Sequence, residues 1–372
     1  MNNKNEGLNP MIDSLDISSP LKEISAKVAN GIRVTSDEGI FLFNHAELGF
    51  LGSLANQARI RKNGNNAYFI RNFHIEPTNI CVNRCRFCSY SHHFSHTQWE
   101  LTTEEILDKV NQQDGAVREL HITGAVHPDR DIKYYGDLLK QIKAIRPNLH
   151  LKAYSAVELD YMFRKSDISV DDGMEFLKAS GLDSIPGGGA EIFDESIRNQ
   201  ICGMKSKGSR WLEIHQAAHR HGIPSNATML YGHIENYAQR IDHLEKLRNL
   251  QDITGGFNAF IPLKFRNANN EMSDIAEVSV VEDMKMYAVA RIYLDNFPHL
   301  KAYWPAVGRK LAQVALSFGV DDMDGTINDS TRIYSLAGAE DQNPRMTVSE
   351  MKELISEVKR VPVERDSYYN KI

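Results

Sequence analysis

Three of the four cysteines in this 372-residue chain fall on one short stretch, Cys81-Val82-Asn83-Arg84-Cys85-Arg86-Phe87-Cys88. The apolar residues Phe73 and Ile75 lead into it as a buried strand would. Three thiolates on one loop, spaced C-x3-C-x2-C, can hold an iron–sulfur cluster. A cubane normally takes four cysteines, so a site with three leaves one iron open to chelate a small molecule, which suggests a reactive cluster rather than an electron relay. Zinc is the alternative. Its structural sites draw four ligands from paired units, and only Cys85 and Cys88 make such a pair, with His92, His93 and His96 following; on that reading the loop would staple a binding module. Cys202 stands far away and is expected to be a free thiol. Nothing at the N-terminus reads as a signal peptide, so a reducing, cytoplasmic location is expected and disulfides are disfavoured.

With 49 acidic against 43 basic residues the net charge is −6, which argues against a general binder of nucleic-acid backbones. No apolar run approaches the roughly 20 residues that cross a bilayer, so no membrane partner is expected. The 42% of hydrophobic residues suffices for a large core, and small molecules are the default substrates.

Residues 1–70 show no clear strand, but Leu21, Ile24, Val28 and Ile32, and then Phe50, Leu51, Leu54, Ala55 and Ala58, recur at near-helical spacing. They predict a helical extension. From Phe73 onward, eight candidate strands alternate with helical patterns: 73–77, 119–123, 150–155, 183–186, 224–230, 256–262, 300–304 and 319–323. Thr102-Thr103-Glu104-Glu105 is a capping box ahead of one helix and Thr347-Val348-Ser349-Glu350 ahead of another. Eight such alternations predict an α/β fold, a (β/α)8-type barrel over 71–330, followed by a helical tail over 331–372. In such barrels the chemistry sits where strands end, and the cysteine loop directly follows the first strand.

Cys81, Cys85 and Cys88, with aromatic Phe87 before the last, resemble the signature loop of the radical S-adenosylmethionine (SAM) enzymes. The resemblance implies a [4Fe–4S] cluster whose open iron binds the amino and carboxylate groups of SAM, and whose electron releases a 5′-deoxyadenosyl radical. Such enzymes carry a glycine-rich segment after the second strand, and Thr123-Gly124-Ala125 occupies that place without the common terminal glutamate; a plain chain turn at Gly124 fits equally. After the third and fourth strands come Ser155-Ala156-Val157-Glu158 and Pro186-Gly187-Gly188-Gly189-Ala190-Glu191. A triple glycine lets backbone approach a ligand, and Glu191, or less favourably Glu158, can accept hydrogen bonds from ribose hydroxyls or the SAM ammonium; acidic residues at helix N-termini facing solvent are the alternative.

In the fifth strand Asn226 and Thr228 alternate with smaller or apolar neighbours and would line a wet cavity if they point inward. Lys264 and Arg266 end the sixth near the expected mouth, where cations beside an apolar pocket suit an aromatic carboxylate, or else are solvated loop charges. His215 and His219 have metal-ligand spacing but no H-E-x-x-H glutamate, and read as surface or packing residues. Trp304, Asp322 and Asp324 can face substrate or serve a core and a turn.

Taken together, His74-Ile75-Glu76-Pro77-Thr78-Asn79, the 182–191 segment, Ala227-Thr228-Met229-Leu230-Tyr231-Gly232-His233, Thr254-Gly255-Gly256-Phe257 and Asp322-Met323-Asp324-Gly325 resemble the aminofutalosine synthase family of the futalosine route to menaquinone. That resemblance implies SAM as co-substrate, and addition of the deoxyadenosyl radical to 3-[(1-carboxyvinyl)oxy]benzoate. Rearrangement and decarboxylation then give 6-amino-6-deoxyfutalosine. An electron donor such as flavodoxin or ferredoxin is implied too, and His233, Lys264 and Arg266 are candidates for the substrate carboxylates. Cyclic dehypoxanthinyl futalosine synthase and the deazaflavin-forming synthases share much of the pattern and stand as alternatives.

Overall fold

The computed structural model describes residues 18–93, 97–327 and 332–372, so His96 lies outside the described residues. Nine short strands are present among them: β1 (Asn66–Ile70), β2 (Asn72–Ile75), β3 (Glu119–Ile122), β4 (His150–Ala153), β5 (Ser225–Tyr231), β6 (Phe257–Lys264), β7 (His299–Leu300), β8 (Asp322–Gly325) and β9 (Val361–Glu364). Every ladder is parallel, in the orders β2-β3-β4, β5-β6-β7 and β8-β1-β9. Parallel bridges at Lys152–Ser184 and Ile185–Ser225 join β4 to β5, and one at Lys301–Asp322 joins β7 to β8. Because β1 and β2 are one strand interrupted at Arg71, the ring closes as the eight-stranded α/β barrel that the alternation predicts.

Several boundaries differ from the sequence expectation. The first strand begins at Asn66, inside the stretch expected to be wholly helical; strands this short are specified by their neighbours more than by their own residues. The expected strand at 183–186 contributes only the two bridges at Ser184 and Ile185. The expected strand at 300–304 stops at Leu300, because Pro305 favours a helical start and Trp304–Val307 turns into a helix. A helix at Ala156–Lys165 was hidden in the motif Ser155-Ala156-Val157-Glu158, which is itself a capping box. The tail is not purely helical: after the helix Val348–Glu357, β9 pairs with β1 on the edge that β3 leaves free, which removes an open sheet edge.

The N-terminal helices Ser19–Ala29, Ser36–His45 and Leu48–Asn63 lie on the barrel's outside. A Cβ at Gly39 would come within 2.7 Å of Ile241 and one at Gly52 within 2.7 Å of Phe318, so both glycines let these helices pack closely on the barrel. Leu21, Ile24 and Val28 are buried, whereas Ile32, beyond the helix end, is exposed. His215 and His219 prove to be packing residues: His215 stacks on Trp211 at 3.7 Å, and both imidazoles reach the Ser225 hydroxyl, at 2.8 and 2.7 Å.

Candidate active site

A cavity of about 280 Å³ opens at the C-terminal ends of the strands and extends down the barrel lumen. Cys81, Cys85 and Cys88 share its wall with Thr123, Gly124, Gly188, Gly189, Glu191, Asn226, Thr228, Lys264 and Arg266. The cysteine loop is held by backbone hydrogen bonds to the loop that follows β3 and to the helix Glu195–Cys202. The amide of Val82 donates to the carbonyl of Val126 at 2.9 Å and that of Arg86 to Ile201 at 2.8 Å. Asn83 and Val126 point their amides at the Cys81 sulfur, at 3.4 and 3.5 Å. Burial pushes the Cys85 and Cys88 thiols above their ordinary value, so thiolates here need a compensating positive charge.

Part of that charge comes from Lys205, which the sequence did not single out. Its ammonium lies 2.5 Å from Glu191 and 5.3 Å above the Phe87 ring. Burial opposes its charge, yet Cys85, Glu191 and Cys202 together hold it protonated well above its ordinary value. Glu191 adopts a positive φ of 49°, a backbone setting that L-residues occupy rarely, so its carboxylate is placed by the glycine turn before it. In that turn Gly187 has φ 58°, and a Cβ there would meet the Asn226 carbonyl oxygen at 2.3 Å. At Gly188, by contrast, a Cβ would find nothing nearer than Ser155 Cβ at 3.7 Å, which leaves backbone exposed to the cavity.

The other expected residues fall into two groups. Thr123 and Gly124 do line the cavity, and Glu158 stands behind them: its carboxylate accepts from the Thr123 hydroxyl at 3.1 Å and from the Ser155 amide and hydroxyl at 2.7 Å each. Glu158 is buried rather than solvent-facing, and that burial raises its carboxyl to about 7 despite those hydrogen bonds. Of the three substrate candidates, Lys264 and Arg266 line the cavity, and all three have partners within the protein. His233 does not line the cavity; its imidazole faces Glu235 at 3.2 Å and the Leu230 carbonyl at 3.2 Å. The Lys264 ammonium donates to Asp283 at 2.9 Å and to the Val278 carbonyl at 2.8 Å. Arg266 pairs with Glu277 at 3.0 Å and donates to the Gly338 carbonyl at 2.8 Å.

Glu76 was also missed as an individual residue. It lines the cavity and accepts from the amides of Arg332 and Ile333, at 2.8 and 3.3 Å, at the start of the helix Arg332–Leu336. Trp304 is buried and donates to the Gly325 carbonyl at 2.9 Å, a core role. Asp322 pairs with Arg365 at 2.7 Å, away from the cavity, whereas Asp324 lines it and pairs with Lys301.

The donor set suits a cubane with one open iron. Three thiols face the cavity, while Cys202 is buried and does not line it. Among the described residues no three or more His, Cys, Asp or Glu side chains converge as they would around a single metal ion. His92 and His93 are turned to backbone instead: the Cys81 amide donates to His92 at 3.1 Å, and His93 Nε2 lies 3.0 Å from the Cys81 carbonyl.

A closed parallel barrel with a three-cysteine loop at its mouth defines a radical SAM enzyme. The radical SAM superfamily profile matches residues 75–247, and the profile described as the CofH/MqnC C-terminal region matches 254–372. Methylornithine synthase (PylB) superposes with a TM-score of 0.73 at 16% identity, over 91% of this chain and 97% of that one. The hydrogenase maturase HydG gives 0.75 at 19%, over 93% and 76%. Both show the fold. In sequence, the aminodeoxyfutalosine synthase of Thermus thermophilus is 40% identical over 94% of this chain and 95% of its own, and that of Streptomyces coelicolor 36% over 94% and 93%. The cyclic dehypoxanthine futalosine synthase of Streptomyces coelicolor is 35% identical over 94% and 88%. The chain belongs to the aminodeoxyfutalosine synthase family of radical SAM enzymes, and it catalyses carbon–carbon bond formation. No helix among the described residues is long and apolar enough to cross a membrane.

Proposed function

We propose that this enzyme joins the 5′-deoxyadenosyl group of SAM to 3-[(1-carboxyvinyl)oxy]benzoate, giving 6-amino-6-deoxyfutalosine after rearrangement and decarboxylation. The observation that carries this reading is the 40% identity to the Thermus thermophilus aminodeoxyfutalosine synthase over nearly both whole lengths, combined with a single cavity that unites the cysteine loop and an aromatic-sized lumen. Cys81, Cys85 and Cys88 would hold a [4Fe–4S] cluster, which when bound would supply the electron that cleaves SAM. The backbone at Thr123-Gly124 and at Gly188, with the Glu191 carboxylate, binds SAM. Glu158 positions Thr123.

A primary carbon radical would take a hydrogen atom from any loosely placed neighbour. The chain therefore has to hold the alkene carbon against C5′ within roughly 3–3.5 Å, the spacing of a near-attack arrangement. Leu230, Ile261, Leu263 and Phe265 supply apolar walls for the ring. An external reductant, a flavodoxin or ferredoxin, delivers the electron.

Anaerobic incubation of the reconstituted protein with SAM, dithionite and the enolpyruvyl benzoate tests the reading by mass spectrometry. An adenosyl adduct is expected. Release of 5′-deoxyadenosine with turnover of dehypoxanthine futalosine, and no adduct, would assign the cyclising reaction instead. One zinc per chain with no iron after reconstitution would return the loop to a structural role.

A further inference from the structure

Successive residues of a strand point to opposite faces, and the parallel register of β2, β3 and β4 aligns His74 with His121 and His121 with Lys152. Each of these three sits between apolar neighbours, and all three line the cavity. They form one layer of the lumen, a single step inside the strand ends. Around this layer Lys152 pairs with Glu119 at 2.7 Å, and Lys301 pairs with Asp324, so both ammonium groups are already engaged by carboxylates.

The two imidazoles are not so engaged at Nε2. That atom is buried and without a partner in both His74 and His121. His74 as a residue is 4% exposed, and the rings lie edge to face at 4.4 Å. Burial, ahead of all other influences, lowers the His74 imidazole to about 4 and lowers that of His121 as well, so each is neutral near pH 7 and carries one N–H. Buried polar atoms are nearly always hydrogen-bonded. Two adjacent orphans on side chains that line one cavity therefore point to a ligand.

In the tautomer that carries its proton on Nε2 each ring donates there, so the ligand brings acceptors, and a carboxylate brings two with no hydrogen of its own. Tyr303, whose ring lies 6.2 Å from that of His74, and Ile261 line the lumen alongside, which suits an aromatic ring. We propose that Nε2 of His74 and Nε2 of His121 donate to the ring carboxylate of the aromatic substrate, fixing its far end at the inner layer and turning its other substituent toward the cysteine loop. The proposal rests on the function proposed above, and it replaces His233, Lys264 and Arg266 in the recognition of that carboxylate.

The test uses the reconstituted holoenzyme with SAM and two inert probes, 3-hydroxybenzoate and phenol, which differ by the ring carboxylate. The wild type is expected to bind the benzoate at least about tenfold more tightly than phenol, the scale of a hydrogen bond to a charged group. His74→Phe and His121→Phe, which keep a ring but no donor, should each lower that ratio at least about threefold and together bring it close to one, and the imidazole ¹⁵N signals that each variant lacks should be ones that move when the wild type binds 3-hydroxybenzoate. An unchanged ratio in both folded variants, or signals that stay still, overturns the subsite. Should neither variant fold, a crystal structure of the wild type with 3-hydroxybenzoate decides: the carboxylate lies within hydrogen-bond distance of both Nε2 atoms, or the proposal is wrong. Turnover of the enolpyruvyl benzoate is measured in parallel. Turnover with an unchanged ratio overturns the subsite alone, whereas a collapsed ratio without turnover overturns the function alone.

Discussion

The ammonium of Lys205 lies 2.5 Å from the carboxylate of Glu191, and both groups line the cavity that Cys81, Cys85 and Cys88 share. Removing one partner of a buried pair leaves an uncompensated charge and costs roughly 3–5 kcal/mol, whereas removing both is far milder. Lys205→Met should therefore lower the melting temperature markedly, and the double variant Lys205→Met with Glu191→Gln should recover most of the loss. Anaerobic thermal denaturation of the protein without its cluster checks this. Equal melting temperatures for the single and double variants would show that the pair is not coupled.

The three loop cysteines should behave alike and Cys202 should not. Alanine at Cys81, Cys85 or Cys88 is expected to abolish cluster iron and sulfide while the circular dichroism of the barrel persists, since each thiol lines the cavity from a loop outside the strands. Cys202→Ala should keep its iron. Full iron in any of the three loop variants would remove that residue from the ligand set.

Glu158 makes stability depend on pH in a defined direction. Its carboxyl is raised to about 7 from an ordinary 4.5, burial being the largest cause. A raised acid favours the folded state most while protonated, so its contribution is complete below about pH 4.5 and is lost as pH climbs through 7. Glu158→Gln cannot ionise. Its stability relative to the wild type should rise by about 2–3 kcal/mol between pH 5 and pH 8, following 1.36 kcal/mol per unit. Melting temperatures across that range measure it, and a flat difference would contradict the burial argument.

Gly187 and Gly188 should separate folding from binding. At Gly187 an alanine meets both a positive φ and the Asn226 carbonyl, and the backbone strain alone is on the order of 1–3 kcal/mol. Gly187→Ala should thus fold poorly. Gly188→Ala has room and should melt near the wild type, yet its methyl group enters the cavity, so SAM binding measured by equilibrium dialysis should weaken. A stable Gly187→Ala protein would show that the turn relaxes.

The cysteine spacing, the alternation of strand and helix and the capping boxes at Thr102 and Thr347 were legible in the sequence, because each depends on residues a few positions apart. The arrangement of charge in the site was not legible in that way. Lys264 and Arg266 look like free cations in the chain, and only packing turns them toward Asp283 and Glu277. Lys205 looks like an ordinary loop lysine, and only the fold brings it to Glu191. β9 reaches β1 across most of the chain, since an unpaired parallel edge is satisfied by whichever segment the tertiary structure delivers. His74 and His121 lie between. Their alternation with apolar neighbours is written in the sequence, but that their imidazoles meet on one wall follows from the register between two strands, which is a property of the closed barrel.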